Sequence, residues 1–244
     1  MTTPKPLRPS MRCSHRLRVR WAEVDMQKIV FNAHYLQYFD TAMADYWRDL
    51  CLPYEAAMHL LEGDVFLKKA SVEYHAPARY DDVVEVGLRC QRIGTSSLVF
   101  DGRIVRGDTL LVTSELIYVY ANAASQKPQP VPEALRTIFD SFEAGQTMSE
   151  LRLGDWAALG DLASVLRTDV FVQEQGIGAH MVWDDADASA VHAVVVNRLN
   201  QPVATGRLLQ HAPQIGRIGR MAVHRGLRGS RLGRDVLHAL VQAA

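Results

Sequence analysis

Asp25 stands seven residues ahead of Asn32, where a helical pattern begins. A helix N-terminus presents unpaired N–H groups and the positive end of the helix dipole. Such amides can hold a developing oxyanion, and a nearby carboxylate can act as base or nucleophile. The pair therefore suits attack on an activated acyl group such as a thioester. The same spacing also fits a plainer role for Asp25, as a loop acid that caps the helix or pairs with Arg20. No G-x-S-x-G elbow is present and the nine histidines are scattered, so no local Ser-His-Asp signature is visible. His34 falls in the first helical turn, where packing or surface exposure explains it more simply than substrate contact. Lys68-Lys69 reads as a solvated strand pair rather than a phosphate site.

These residues need elements to position them. Leu17, Val19 and Trp21 alternate with basic residues from His15, a strand pattern. From Ala33 to Leu50, one helical stripe holds Tyr35, Phe39, Ala42 and Tyr46, and a second holds Leu36, Met43, Trp47 and Leu50. Two adjacent stripes make a wide apolar face, so this helix is expected to be largely buried, with its Tyr and Trp residues in the core. Pro53 stops it, and a short helix follows from Tyr54 to Leu61. Four strand patterns come next: Val65–His75, then period-two runs around Val84–Cys90, Leu98–Ile104 and Leu110–Tyr120. One long helix against a meandering antiparallel sheet is an α+β layer. Asn122–Pro132 carries three prolines, and Glu133–Phe142 is a short closing helix. The expected division is a first domain over 12–143, a linker over 144–149 and a second domain over 150–244. In the second domain Asp155–Gln175 is mostly helical. His192–Val196, Pro202–Leu209 and Ile215–Val223 are strands, and Ser230–Ala243 is a helix after a Gly/Arg-rich turn.

The composition narrows the partners. The 244 residues include 27 Lys+Arg and 27 Asp+Glu, a formal net charge of zero, which argues against a general nucleic-acid binder. With 48% apolar and 22% charged residues, the chain is neither disordered nor collagen-like. Cys13, Cys51 and Cys90 are odd in number and far apart, so neither a disulfide framework nor a thiolate metal site is expected. A reducing, cytoplasmic setting fits, with no membrane span, no signal peptide and a short frayed N-terminus before Cys13.

The segment Asp25, Ile29-Val30, Phe31 and Tyr35-Leu36 resembles the signature of hot-dog-fold acyl-CoA thioesterases of the 4-hydroxybenzoyl-CoA type. Val72–Val83, Ile93–Ser97 and Pro128–Leu135 resemble later parts of the same family, in the same order. The resemblance implies a hot-dog fold and hydrolysis of acyl-CoA with no added cofactor. It also implies a homodimer or homotetramer with substrate at the subunit interface. Asp25 would be nucleophile or general base, and the N–H near Asn32 would hold the oxyanion. The sequence departs from the family at two positions. Lys28 replaces the usual loop glycine, and Asn32 stands where some members carry His or Tyr, with helix capping as a simpler use of its side chain.

The run Ile215–Gly233 is a strand, a Gly/Arg turn and a helix start, a geometry able to cradle an anion. It resembles motif A of GNAT acyltransferases, with Arg231 in place of the middle glycine of Arg228-Gly229-Ser230-Arg231-Leu232-Gly233. Val170–Gln175, His192 and Val203–Arg207 resemble that family's first helix and early strands. The resemblance implies a truncated GNAT-like α/β domain that would take acetyl-CoA through Met221, Val223, Arg228, Gly229, Ser230 and Gly233. It also implies further strands beyond Ala244, so the chain is expected to be a fragment, a natural truncation or completed by a partner. An N-acyltransferase using the first domain for dimerisation is the alternative function.

Overall fold

The computed structural model describes residues 11–244. Residues 1–10, on which most of the expected frayed N-terminus falls, lie outside the described residues. The chain divides into two compact units, one running through Leu50 together with Met58–Gln146, the other Cys51–Ala57 together with Thr147–Ala244. The architecture is mixed helix and antiparallel sheet in both.

The first unit contains β1 (Cys13–Arg18), α1 (Asn32–Asp49), part of α2 (Tyr54–Leu60), β2 (Asp64–Tyr74), β3 (Val83–Ile93), β4 (Ser97–Arg106), β5 (Thr109–Ala121) and α3 (Glu133–Glu143). The strands form one antiparallel sheet in the order β1-β3-β4-β5-β2. Period-two alternation places Val84, Val86 and Leu88 of β3 and Leu98, Phe100 and Ile104 of β4 in the core. The aromatic stripe of α1 meets them. Tyr46 lies 5.2 Å from Phe100 and stacks at 5.6 Å on Phe139 of α3, ring centre to ring centre. The helix packs tightly on the sheet at Gly102. A Cβ there would fall 2.7 Å from Phe39 and 2.9 Å from the Ser114 hydroxyl. Gly102→Val is therefore expected to destabilise the unit by about 1–3 kcal/mol, read by thermal or urea denaturation, because added methyls have no space to enter.

Three expectations are corrected. The strands do not form a simple meander, because β2 crosses to the far edge and pairs with β5 over Asp64–Tyr74. Trp21 is not on the first strand. β1 ends at Arg18, and Trp21, 74% exposed, opens a single 3-10 turn. Leu36 is exposed, and Tyr38 is buried in the helix face with Tyr35 and Ala42. These three share an i, i+3, i+7 stripe, whereas the sequence pattern pointed to Leu36.

The second unit holds β6 (Ser149–Gly154), α4 (Trp156–Arg167), a π-helical turn (Thr168–Glu174), β7 (Val191–Asn197), β8 (Pro202–Ala212), β9 (Ile215–Val223) and α5 (Leu232–Gln242). Its sheet is antiparallel in the order β6-β7-β8-β9. The Asp155 carboxylate caps α4 by accepting the Ala158 N–H at 2.9 Å. Leu159 and Ala163 of α4 pack on Val194 and Val196 of β7. The predicted helix over Asp155–Gln175 corresponds to α4 and the π-helical turn. β6 is an addition to the sequence reading: it begins inside the predicted linker, and only Leu151 and Leu153 mark its alternation. The three cysteines are free and buried, and burial pushes the Cys51 and Cys90 thiols up to about 11 and about 12. Among the described residues no helix is long and apolar enough to cross a membrane.

Candidate functional site

The loop between β1 and α1 is a small closed hairpin. Val24 and Val30 form an antiparallel bridge. Inside it the Asp25 N–H donates to the Ile29 carbonyl and the Lys28 N–H to the Asp25 carbonyl, both at 2.9 Å. The Asp25 carboxylate accepts the Gln27 N–H at 2.8 Å, which fixes the side chain beside its own turn. Lys28 takes φ +62°, the left-handed region that a glycine would enter without strain. Lys28→Gly is expected to raise stability by up to about 1 kcal/mol in denaturation, after the entropy glycine adds to the unfolded chain is set against the relieved strain.

Glu23 holds this hairpin to the helix. It is 3% exposed, and its carboxylate accepts the Tyr38 hydroxyl at 2.7 Å, the Arg20 N–H at 2.7 Å and the Arg20 Nε at 2.6 Å. Its carbonyl accepts the Phe31 N–H at 2.9 Å, so both sides of the loop are tied through one residue. Burial pushes the Glu23 carboxyl up, but these donors outweigh it and the net shift is downward. Burial and the Glu23 carboxylate push the Tyr38 phenol up. The suggested Asp25–Arg20 pair is not formed, because Arg20 is taken by Glu23.

The far side of the loop is fastened to the chain after β2. The Val30 N–H donates to the Ala78 carbonyl at 2.9 Å, and the Ala78 N–H donates to the Tyr35 hydroxyl at 3.0 Å. Burial raises the Tyr35 phenol. The Tyr74 hydroxyl donates to the Asn32 carbonyl at 3.2 Å, and the Tyr35 and Tyr74 rings meet edge to face at 5.5 Å.

These ties frame an open cavity of about 390 Å³ whose wall includes Asp25, Phe31, Asn32, Tyr35, Tyr74 and His75. Asp25 is half-buried and Asn32 exposed, and both reach the same space. The capping role for Asn32 is corrected. Phe31 is the N-cap, with no side-chain cap, and Asn32 is the first helical residue. Among the described residues the Asn32 and Ala33 N–H groups meet no acceptor, while the His34 N–H bonds the Phe31 carbonyl. His34 itself pairs with Gln37. Lys69 lies 3.4 Å from Glu115, and Lys68 is the extra residue of a β2 bulge. Tyr35, part of the motif in the sequence, borders the site, and Glu23 is a site residue that the sequence reading does not single out. The sequence carries one signal for Glu23, an acid two residues before Asp25.

In the second unit the six predicted ligand residues fall in two places. Val223, Arg228 and Gly233 come together at the turn: Arg228 Nε donates to the Val223 carbonyl at 3.2 Å, and a Cβ at Gly233 would lie 3.2 Å from Val223. Gly229 takes φ +88°, and Ser230 bonds the Leu227 carbonyl. Arg231, the N-cap of α5, takes φ +71°, so the position where the motif has glycine is one that favours glycine. Met221 faces a separate cavity. The charge expected from Arg228 is already matched, because Glu174 accepts both its terminal nitrogens at 2.7 Å. Among the described residues no group of three or more His, Cys, Asp or Glu could hold a metal ion.

Residues 27–113 match the family model of the thioesterase superfamily. Over 121 residues, 49% of this chain, the sequence is 31% identical to the acyl-CoA thioester hydrolase YbgC of Escherichia coli and covers 89% of that protein. A putative esterase of Aquifex aeolicus is 33% identical over 94 residues, 38% of this chain and 73% of its own. Among solved structures, a thioesterase of Thermus thermophilus complexed with coenzyme A and Zn superposes with a TM-score of 0.50 at 24% identity. It covers 56% of this chain and 97% of its own, and shows a shared fold.

Proposed function

We propose, from the premise that the chain belongs to the thioesterase superfamily and is a hydrolase of that class, that its first unit hydrolyses acyl-CoA thioesters at the Asp25 cavity. The observation that carries this reading is that Asp25 and Asn32, the first residue of α1 and one with an open amide, border one space. The thioester carbonyl oxygen would take its developing charge to the Asn32 and Ala33 N–H groups, where the helix dipole is positive. Asp25 would either attack the carbonyl carbon, expelling the CoA thiolate and leaving an anhydride that water opens, or take a proton from the attacking water. Either route yields a free acid and CoA and asks for no further cofactor. A homodimer or homotetramer is part of the proposal. β2 is an edge strand of eleven residues with Leu67 and Tyr74 exposed, and among the described residues nothing pairs with its outer side. Tyr74 also borders the cavity, so a second copy on this edge would stand beside the substrate.

For the second unit, a GNAT-like module able to take acetyl-CoA at its Gly/Arg turn remains a proposal. It is supported by the antiparallel sheet, the β9–α5 turn and the left-handed Gly229. Glu174 would have to leave Arg228 for an anion to bind there.

The test is a panel of aliphatic and aromatic acyl-CoAs, with release of free thiol followed over time. The expected result is turnover of at least one class, abolished or strongly reduced in Asp25→Asn. Equal rates for both proteins across the panel would remove Asp25 from the mechanism.

A further inference from the structure

We infer that the second unit holds a binding site for a small monocarboxylate with an apolar body, in the cavity beside Arg220 of β9. The inference rests on that unit alone and not on the thioester reading. The cavity measures about 230 Å³ and is lined by Phe171, Ile177, Met181, Val182, Arg220 and Met221, five apolar side chains and one guanidinium.

The backbone is bent to place that guanidinium. Between β8 and β9 the register steps from Arg207 opposite Gly219 to Thr205 opposite Ala222, leaving Arg220 and Met221 across from Gly206. A bulge of this kind re-aims side chains. Arg220 takes φ +52°, a strained conformation for arginine. The packing fixes the bulge, since a Cβ at Gly206 would meet the Met221 sulfur at 2.5 Å.

The charge behind Arg220 is unbalanced. Arg167, fully buried, bonds Asp187 at 2.9 Å and His192 Nδ1 at 3.3 Å. Arg207 bonds Asp187 at 2.7 Å and Asp184 through two contacts of 2.7 Å. Arg220 bonds Asp184 at 3.1 Å and the carbonyls of Met181 and Val182 at 2.8 and 2.9 Å. His192 donates through Nε2 to the Asp187 carbonyl at 2.9 Å and accepts from Arg167, the pattern of a neutral ring, and burial pushes its pKa down. Three guanidiniums therefore share two carboxylates. The buried Nε atoms of Arg167 and Arg207 have no partner, and neither, among the described residues, does Nη1 of Arg220. Arg220 is half-buried at the cavity wall, and a surplus cation flanked by apolar side chains favours a compensating anion. A phosphate would leave oxygens against five apolar walls, and an amine would meet like charge. A carboxylate on an apolar body satisfies both surfaces. Acids released by thioester hydrolysis belong to the same class.

The experiment is calorimetric titration of the full chain with benzoate, hexanoate and octanoate, and with the matched amides and amines. At least one acid is expected to bind about tenfold or more tightly than its amide, and Arg220→Gln is expected to weaken it by a similar factor. Arg220 also secures the 181–184 segment, so Ile177→Trp, which fills the cavity from outside the bulge and without removing the charge, provides the second arm and is expected to abolish binding. Equal affinity for acid and amide overturns the site, as does undiminished acid binding in Ile177→Trp. Undiminished acid binding in Arg220→Gln places the acid elsewhere, the first unit included, and also overturns it.

Discussion

Replacing Asp25 by Asn is expected to lower kcat for the best acyl-CoA about 10²–10⁴-fold while leaving KM within a few-fold and the melting temperature unchanged. The substitution is nearly isosteric. An Asn side-chain carbonyl still accepts the Gln27 N–H that now fixes the carboxylate, so the hairpin keeps its shape. What is lost is the negative charge and the ability to take a proton or bond to carbon. The cavity wall formed by Phe31, Tyr35 and Tyr74 is untouched, so binding should persist. Steady-state kinetics with thermal denaturation of both proteins is the measurement. A matched fall in stability would assign Asp25 to the loop rather than the chemistry.

Glu23→Ala is expected to reduce kcat roughly ten- to a hundredfold without any contact with substrate, because displacement of a reacting group by about 1 Å costs of that order. Removing the carboxylate leaves the buried Tyr38 hydroxyl without its acceptor, at a stability cost of about 1–3 kcal/mol, and frees the segment that aims Asp25. Glu23→Gln keeps an acceptor for Tyr38 and for the Arg20 N–H and should recover most of the rate, whereas Glu23→Leu, which fills the space without an acceptor, should not. The pH dependence follows from the lowered carboxyl. Its stabilisation is complete above the ordinary value of 4.5 and fades as the pH falls below it toward the folded value. Wild type should therefore lose more stability than Glu23→Gln on acidification below pH 4.5, read by denaturant midpoints at each pH.

Much of this arrangement was legible from local pattern. The 3.6-residue spacing of Tyr35, Phe39, Ala42 and Tyr46 marked α1 because one face of that helix is buried. Alternation marked β3, β4 and β5 because each has an inward side. What stayed hidden is non-local. Nothing in β2 itself announces that it bypasses β3 to pair with β5, since its residues are half-buried or exposed along its length. Glu23 reads as an ordinary surface acid until the helix brings Tyr38, fifteen residues on, against it. Lys28 is visible in the sequence as a departure from glycine, but its φ of +62° follows only from the closed Val24–Val30 hairpin. In the second unit, the Arg228 that a motif reading offers to a phosphate is claimed by Glu174, 54 residues earlier.

A crystal structure with a non-hydrolysable acyl-CoA, its thioester sulfur replaced by methylene, addresses the central claim most directly. The carbonyl oxygen is expected about 3 Å from the Asn32 or Ala33 nitrogen, with an Asp25 oxygen, or a water bonded to it, facing the carbonyl carbon. An acyl group seated elsewhere, with Asp25 turned into bulk solvent, would contradict it.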